Sequence, residues 1–183
     1  MYTTNLTFNS YGTTVFELMS RLAVEYKSIN LGQGFPDDYG PNAVLQKASE
    51  YLFDLPNQYP PMLGVPELRQ AVAAHNKRFY GLDIDWKTET MVSSGATEGL
   101  AACFLGLLNQ GDEVVVIEPL YDCYLPMIER AGGIPKRVSI EPPDWKLNGS
   151  ALRAAFSNKT KLVLINTPQN PSSKVYHSEE LLL

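Results

Sequence analysis

Of the 183 residues only two are cysteines, Cys103 and Cys123, and only two are histidines, His75 and His177. Two thiols at this spacing make neither a disulfide framework nor a zinc ribbon, and two histidines cannot supply a usual zinc site, so no metal is expected and a reducing compartment is implied. No apolar run approaches the length of a bilayer span, and the start Met1-Tyr2-Thr3-Thr4-Asn5 lacks the basic residues and apolar stretch of a signal peptide. Positive charge is in deficit: 15 Lys and Arg stand against 20 Asp and Glu, a net charge of −5. The basic residues form no cluster that could displace counterions from nucleic acid, so neither nucleic acid nor a membrane is expected as a partner. The expectation is a cytoplasmic protein.

Several catalytic signatures are missing as well. There is no Walker sequence, no Gly-x-Ser-x-Gly elbow and no His-Glu-x-x-His pair. Gly32-Gln33-Gly34 begins like a dinucleotide fingerprint, but Asp37 stands where its third glycine belongs and no βαβ unit follows. A generic nucleotide-binding α/β domain is thereby disfavoured.

What is present is an ordinary globular composition, 44% hydrophobic and 19% charged, with length enough for one domain with a core. Thr14 and Glu17 have capping-box spacing before an apolar stripe of Val15, Leu18, Met19 and Leu22, which predicts a helix from Thr14 to about Tyr26. A second helix is expected from Pro41 to about Leu52, and a third from about Pro66 to Tyr80, with the stripe Leu68, Ala71, Val72, His75 and Phe79 inward and Gly81 as its stop. On that helix His75 reads as a packed or half-exposed residue rather than a ligand.

After residue 88 the pattern alternates. Strands are expected at Glu89 to Ser93, Glu113 to Ile117, Lys136 to Ile140 and Lys161 to Ile165. Helices are expected at Thr97 to Asn109, Leu125 to Ala131, Ser150 to Phe156 and from near Ser178. Short β-rich runs separated by helices predict an α/β fold with a doubly wound, mostly parallel sheet, whose ligands sit beyond the carboxyl ends of the strands.

Three segments lie at those ends. Ser93-Ser94-Gly95-Ala96-Thr97 stands between a strand-like run and a helix carrying Leu100, Phe104, Leu107 and Leu108 on one face, with Gly111 placed to stop it. A helix opening there presents unpaired N–H groups and the positive end of its dipole, which suits a phosphate, although an ordinary βα corner has the same outline. Tyr121, in Glu118-Pro119-Leu120-Tyr121-Asp122-Cys123-Tyr124, is placed either to stack on a flat cofactor or simply to pack. Asn170-Pro171 offers a side-chain amide to a ligand oxygen, or is only a turn.

Taken in order from about Thr14 to the last residue, these segments resemble the class I/II aminotransferases of the type I pyridoxal-phosphate fold. Within that family, Asn30-Leu31-Gly32-Gln33-Gly34-Phe35-Pro36-Asp37, Asn57-Gln58-Tyr59 and Tyr121-Asp122-Cys123-Tyr124 are most similar to the subgroup of kynurenine/glutamine and methionine aminotransferases. The resemblance implies an enzyme that moves an amino group between an L-amino acid and a 2-oxo acid through pyridoxal 5′-phosphate. It implies roles for Gly95, Ala96 and Thr97 at the cofactor phosphate, for Tyr121 on the pyridine ring, and for Asn170 at the ring hydroxyl and substrate carboxylate. Gly34 would help hold that carboxylate, and Tyr59 would reach the phosphate in the other subunit of a homodimer. It further implies an N-terminal arm and the start of a small domain over residues 1–40, and the first part of the large cofactor-binding domain over 41–183.

The same resemblance leaves parts unaccounted for. The Schiff-base lysine, the aspartate that pairs with the ring nitrogen and the arginines that hold phosphate and carboxylate all belong downstream of Leu183, so the chain reads as truncated and is not expected to turn over alone. Ser172-Ser173-Lys174 directly follows Asn170-Pro171, too early for the family lysine, and Lys174 is expected at the surface. Ser173 replaces the glycine usual in that turn, which predicts a strained or altered backbone. In the family, later strands flank the strand ending at Ser93, and without them the chain is expected to fold weakly. A carbon–sulfur β-lyase of the same fold, and a non-catalytic fragment that pairs with a full-length subunit, are the alternatives.

Overall fold

The computed structural model describes residues 5–34, 36 and 38–183. The first residues of the chain, Phe35 and Asp37 lie outside the described residues, and with them Asp37 of the failed fingerprint. The chain divides into two compact units, Val15–Gly99 and Leu100–Leu183, the latter joined by the described residues up to Thr14.

The unit that includes Leu183 is built on one strand. Val114-Val115-Val116-Ile117 is a run of four apolar β-formers, and it forms the centre of β1 (Glu113–Glu118), with Val114, Val115 and Val116 completely buried. A strand hidden on both faces needs a neighbour on each side. These are β2 (Ile134–Ser139) and β3 (Thr160–Leu164), both parallel to β1, in the order β2-β1-β3. Successive side chains of β1 point to opposite faces and build two separate cores. Val114 and Val116 pack with Phe104 and Leu108 and with Ile128 of α6 (Tyr124–Arg130). Val115 and Ile117 pack with Val138, Ile140, Leu147, Tyr176 and Ala155 of α7 (Gly149–Ala155). Asn148 starts α7, its Oδ1 accepting from the N–H groups of Ser150 and Ala151 at 3.0 and 3.1 Å.

The chain therefore leaves β1 over one face through α6, pairs as β2, then crosses back over the other face through α7 to β3. Beside α6, the short α1 (Leu6–Asn9) precedes Tyr11, whose hydroxyl donates to Glu129 at 2.9 Å. The last helix, α8 (Ser178–Leu181), is fixed through Glu180: its carboxylate accepts from Lys174 Nζ at 2.9 Å, from the His177 N–H at 3.0 Å and from the Leu147 N–H at 3.2 Å. Lys174 is thus not at the surface as expected. Its side chain is 12% exposed, because the carboxylate reaches back from α8 to bind it. Between α8 and β3 an apolar trough of about 440 Å³ is floored by Ile117, Leu152, Val163 and Ile165.

In the unit Val15–Gly99 the helices fall where the apolar spacing puts them: α2 (Val15–Glu25), α3 (Asn42–Asp54), entered through Pro41, and α4 (Pro66–Tyr80), closed by Gly81 at φ 68°. Two expectations fail here. The stripe of α4 is not its buried face, since Leu68, His75 and Phe79 are exposed; the buried residue is Arg69. And Glu89 to Ser93 forms no strand, because among the described residues no strand lies alongside to pair with it. The helix after it, α5 (Gly95–Leu107), begins two residues before the expected Thr97 and ends before Gly111, which has φ 90° but serves the following turn, donating to the Gly132 carbonyl at 2.9 Å.

Two measurements check this account. Ile128→Ala empties a fully buried position against β1 and is expected to cost about 2–5 kcal/mol in urea unfolding, whereas Leu105→Ala, at a side chain 66% exposed, should cost no more than about 0.5 kcal/mol. Glu180 is held at about 2 against an ordinary 4.5, chiefly by its hydrogen bond from Lys174 and then by the His177 N–H. A depressed carboxyl stabilises the fold fully above its unfolded value and loses that contribution as pH falls from about 4.5 towards 2. Glu180→Gln should therefore lower the melting temperature at pH 7 and flatten its fall over that acid range, and parallel acid limbs in the two proteins would contradict the assignment.

Candidate functional site

Where a doubly wound sheet sends neighbouring strands to opposite faces, their carboxyl ends part and leave a crevice. In this sheet the pair is β1 and β3: β1 continues into α6 on one face, and β3 continues towards Tyr176 and α8 on the other. Tyr121 lies in the loop after β1 and Asn170 in the loop after β3, so both stand where the sequence placed them.

Tyr121 is half-buried and meets Tyr124 edge-on, ring centroids 5.8 Å apart and planes at 69°. Burial, and next the Asp122 carboxylate, push its hydroxyl above the usual tyrosine value, so it stays protonated at neutral pH. Asn170 is exposed, and its N–H donates to Asn166 Oδ1 at 2.8 Å. It borders a crevice of about 10 Å³ with Leu120, Tyr124, Asn166 and Gln169. Tyr124, not Tyr121, is the aromatic ring that shares this crevice with Asn170.

Gln169 is the residue that sequence reasoning missed. It is 5% exposed; its Nε2 donates to the Ile117 carbonyl at 3.4 Å, its Oε1 accepts from Ser172, and its backbone pairs with Lys174 at 2.8 Å and with Ser173 at 2.7 Å. An amide between two prolines reads as solvent-facing turn; only its burial against the end of β1 shows that it carries the loop. Ser173 has φ 61°, the left-handed conformation expected of the glycine it replaces.

The remaining candidates lie in the other unit. Gly95 opens α5 at φ 77°, and a Cβ there would meet no atom within 4 Å, so the space over the turn is clear. Ahead of it, Glu98 accepts the Ser94 N–H, and Ser93 Oγ donates to the Gly95 carbonyl at 3.0 Å. A side chain at Gly99 would press on that Ser93 hydroxyl at 3.2 Å. The N–H groups of Ala96 and Thr97 fall in the first turn, where a helix has no acceptor of its own. Among the described residues Gly34 likewise has nothing within 4 Å of a built Cβ, and Tyr59 is 94% exposed with φ 54°.

A turn suited to an anion, an aromatic ring after β1 and an amide after β3 form a recognisable set. Residues 26–182 match the family model described as aminotransferase class I and II. The chain is 41% identical over 169 residues to the methionine aminotransferase of Escherichia coli, covering 92% of this chain and 44% of that protein. To a probable N-succinyldiaminopimelate aminotransferase of Mycobacterium tuberculosis it is 44% identical over 173 residues, covering 93% and 44%. The solved E. coli structure superposes with a TM-score of 0.94 at 38% identity, over all of this chain and 48% of that one. The chain spans about 44% of the length of these curated relatives. Members of this family use pyridoxal phosphate, and the α/β architecture is that of its type I fold. The chain belongs to the class I and II aminotransferases.

Proposed function

We propose that these residues form the amino-terminal part of a cytoplasmic, homodimeric aminotransferase that moves an amino group between an L-amino acid and a 2-oxo acid. Residues 1–40 contribute the arm and the start of the small domain, and 41–183 the start of the cofactor-binding domain. The observation that carries this is the open first turn of α5, in a chain whose family match runs from residue 26 to 182.

The residues present fit pyridoxal phosphate at the phosphate end. Gly95 adds no side chain over the turn, so a doubly charged group can approach the N–H groups of Ala96 and Thr97 and the Thr97 hydroxyl. When bound, the cofactor supplies an electron-withdrawing ring and a reactive carbonyl. Tyr121 offers its ring face to orient it, and its raised hydroxyl keeps that face uncharged. Asn170 donates from its amide to the ring hydroxyl and the substrate carboxylate, its loop held by Gln169 and Asn166. The clear space at Gly34 admits the carboxylate, and the exposed Tyr59 ring reaches a phosphate held by the partner subunit.

Lys174 does not act as the base. Its ammonium is engaged by Glu180 at 2.9 Å and lies 5.8 Å above the Tyr176 ring, on the α8 side of the loop. The ion pair with Glu180 is what sets Lys174 aside as the residue that would exchange protons with the substrate carbon.

Equilibrium titration of the 183-residue chain should show pyridoxal 5′-phosphate binding at least about tenfold more tightly than pyridoxal. Thr97→Val should reduce that preference by about tenfold through loss of one hydroxyl donor. Equal affinities for the two compounds would refute the phosphate site. Steady transamination by this chain, abolished by Lys174→Ala, would refute the assignment of Lys174.

A further inference from the structure

Among the described residues no sheet holds the segment that leads into the α5 turn, and a side chain grips it instead. Arg69, on α4, is 7% exposed. Its Nε donates to the Thr90 carbonyl at 2.8 Å and its Nη2 to the carbonyls of Trp86 and Lys87 at 2.7 and 2.8 Å. The guanidinium carbon also sits 5.3 Å from the centre of the Trp86 ring. A buried cation needs compensation, and among the described residues this one has carbonyl dipoles and a ring face in place of a paired carboxylate.

Three residues after Thr90 the α5 turn begins. Between them, the Val92 N–H donates to the Leu63 carbonyl at 3.0 Å, just before α4. The Val92 side chain fills the space a Cβ at Gly64 would take: that atom would lie 2.4 Å from Val92 Cγ2, and Gly64 has φ 96°. The lead-in is thus clamped twice, to α4 by the Arg69 fork at residues 86–90 and to the loop before α4 by Leu63 and Gly64 at residue 92. Whatever these clamps fix is passed to Ser93, Ser94 and Gly95, with no sheet ladder to correct it.

We propose that Arg69 is a positioning residue for the phosphate-binding turn. It sets where the N–H groups of Ala96 and Thr97 stand, and so the affinity for a phosphate monoester, without touching the ligand. The inference rests on the phosphate site assigned above. A planar fork that holds three carbonyls in one geometry cannot be reproduced by the single ammonium of lysine, which makes Arg69→Lys the informative substitution.

The test compares pyridoxine 5′-phosphate with pyridoxine, neither of which can form an imine with a lysine, by calorimetry on the 183-residue chain. Arg69→Lys is expected to weaken the phosphate ester by about tenfold or more while pyridoxine changes by less than about twofold. An equal loss for both ligands, or an unchanged preference, overturns the role of Arg69. A wild-type chain with no preference for the ester overturns the phosphate site itself, before Arg69 is touched. If Arg69→Lys loses its helical circular dichroism, Val92→Ala loosens the same lead-in by removing the side chain packed at Gly64. It should show the same selective loss, and an unchanged preference in Val92→Ala overturns the proposal.

Discussion

The structure of residues 100–183 depends on burying β1 from both sides. Four consecutive apolar residues leave no face for water, so the strand needs two parallel neighbours, and each face then needs its own helical cover. Parallel neighbours cannot be joined by hairpins. The crossovers have to pass over the sheet, and with β1 in the middle they pass over opposite faces. The parting of the loops at the carboxyl ends of β1 and β3 follows from this. Tyr121 and Asn170 owe their positions to the same burial that stabilises the sheet.

The loop after β3 shows how such a position is made exact enough for chemistry. Asn170 itself is exposed, and its backbone N–H anchors it to Asn166. The residue before it is buried, and its amide spans from the end of β1 to the two ends of its own loop. A backbone at φ 61° at Ser173 and the ion pair of Lys174 with Glu180 complete the frame. The exposed amide can face a ligand because its neighbours have taken over the structural work.

Much of this was legible in the sequence, for a physical reason. Elements whose existence depends on their own residues were found: α4 runs from Pro66 to Tyr80 as its proline, spacing and Gly81 require, and β1 was marked by Val114 to Ile117. Features that depend on a distant partner were not. Glu89 to Ser93 has strand composition, but strand structure also needs a neighbour; the family resemblance, and no local pattern, implied that its flanking strands come later. The face of α4 that docks was misread because a cation, Arg69, is its buried residue, and apolar periodicity cannot point to a charge satisfied by carbonyls. Lys174 looked like surface because Glu180 lies six positions on, beyond a turn. For the site, the family motif placed the residue types; the supporting Gln169 carries no motif at all.

The α5 turn and the loop after β3, each within its own unit, are held by contacts of different kinds. The lead-in to α5 is tied by Arg69, bonded to three carbonyl oxygens. The Asn170 loop is braced at Lys174, whose partner Glu180 gains a proton as pH falls towards 2. Protonation removes the ionic part of the bond to Lys174 and weakens the hold of α8 on the Leu147 N–H, while Gln169 remains tied to the end of β1 by neutral hydrogen bonds. Acid therefore loosens the brace of the loop after β3 on its α8 side while leaving its tie to β1. On the lead-in to α5, the Asp85 carboxylate, held below its usual range by the Lys87 N–H and the Thr88 hydroxyl, shapes the turn whose carbonyls Arg69 grips, so acid reaches that segment through Asp85.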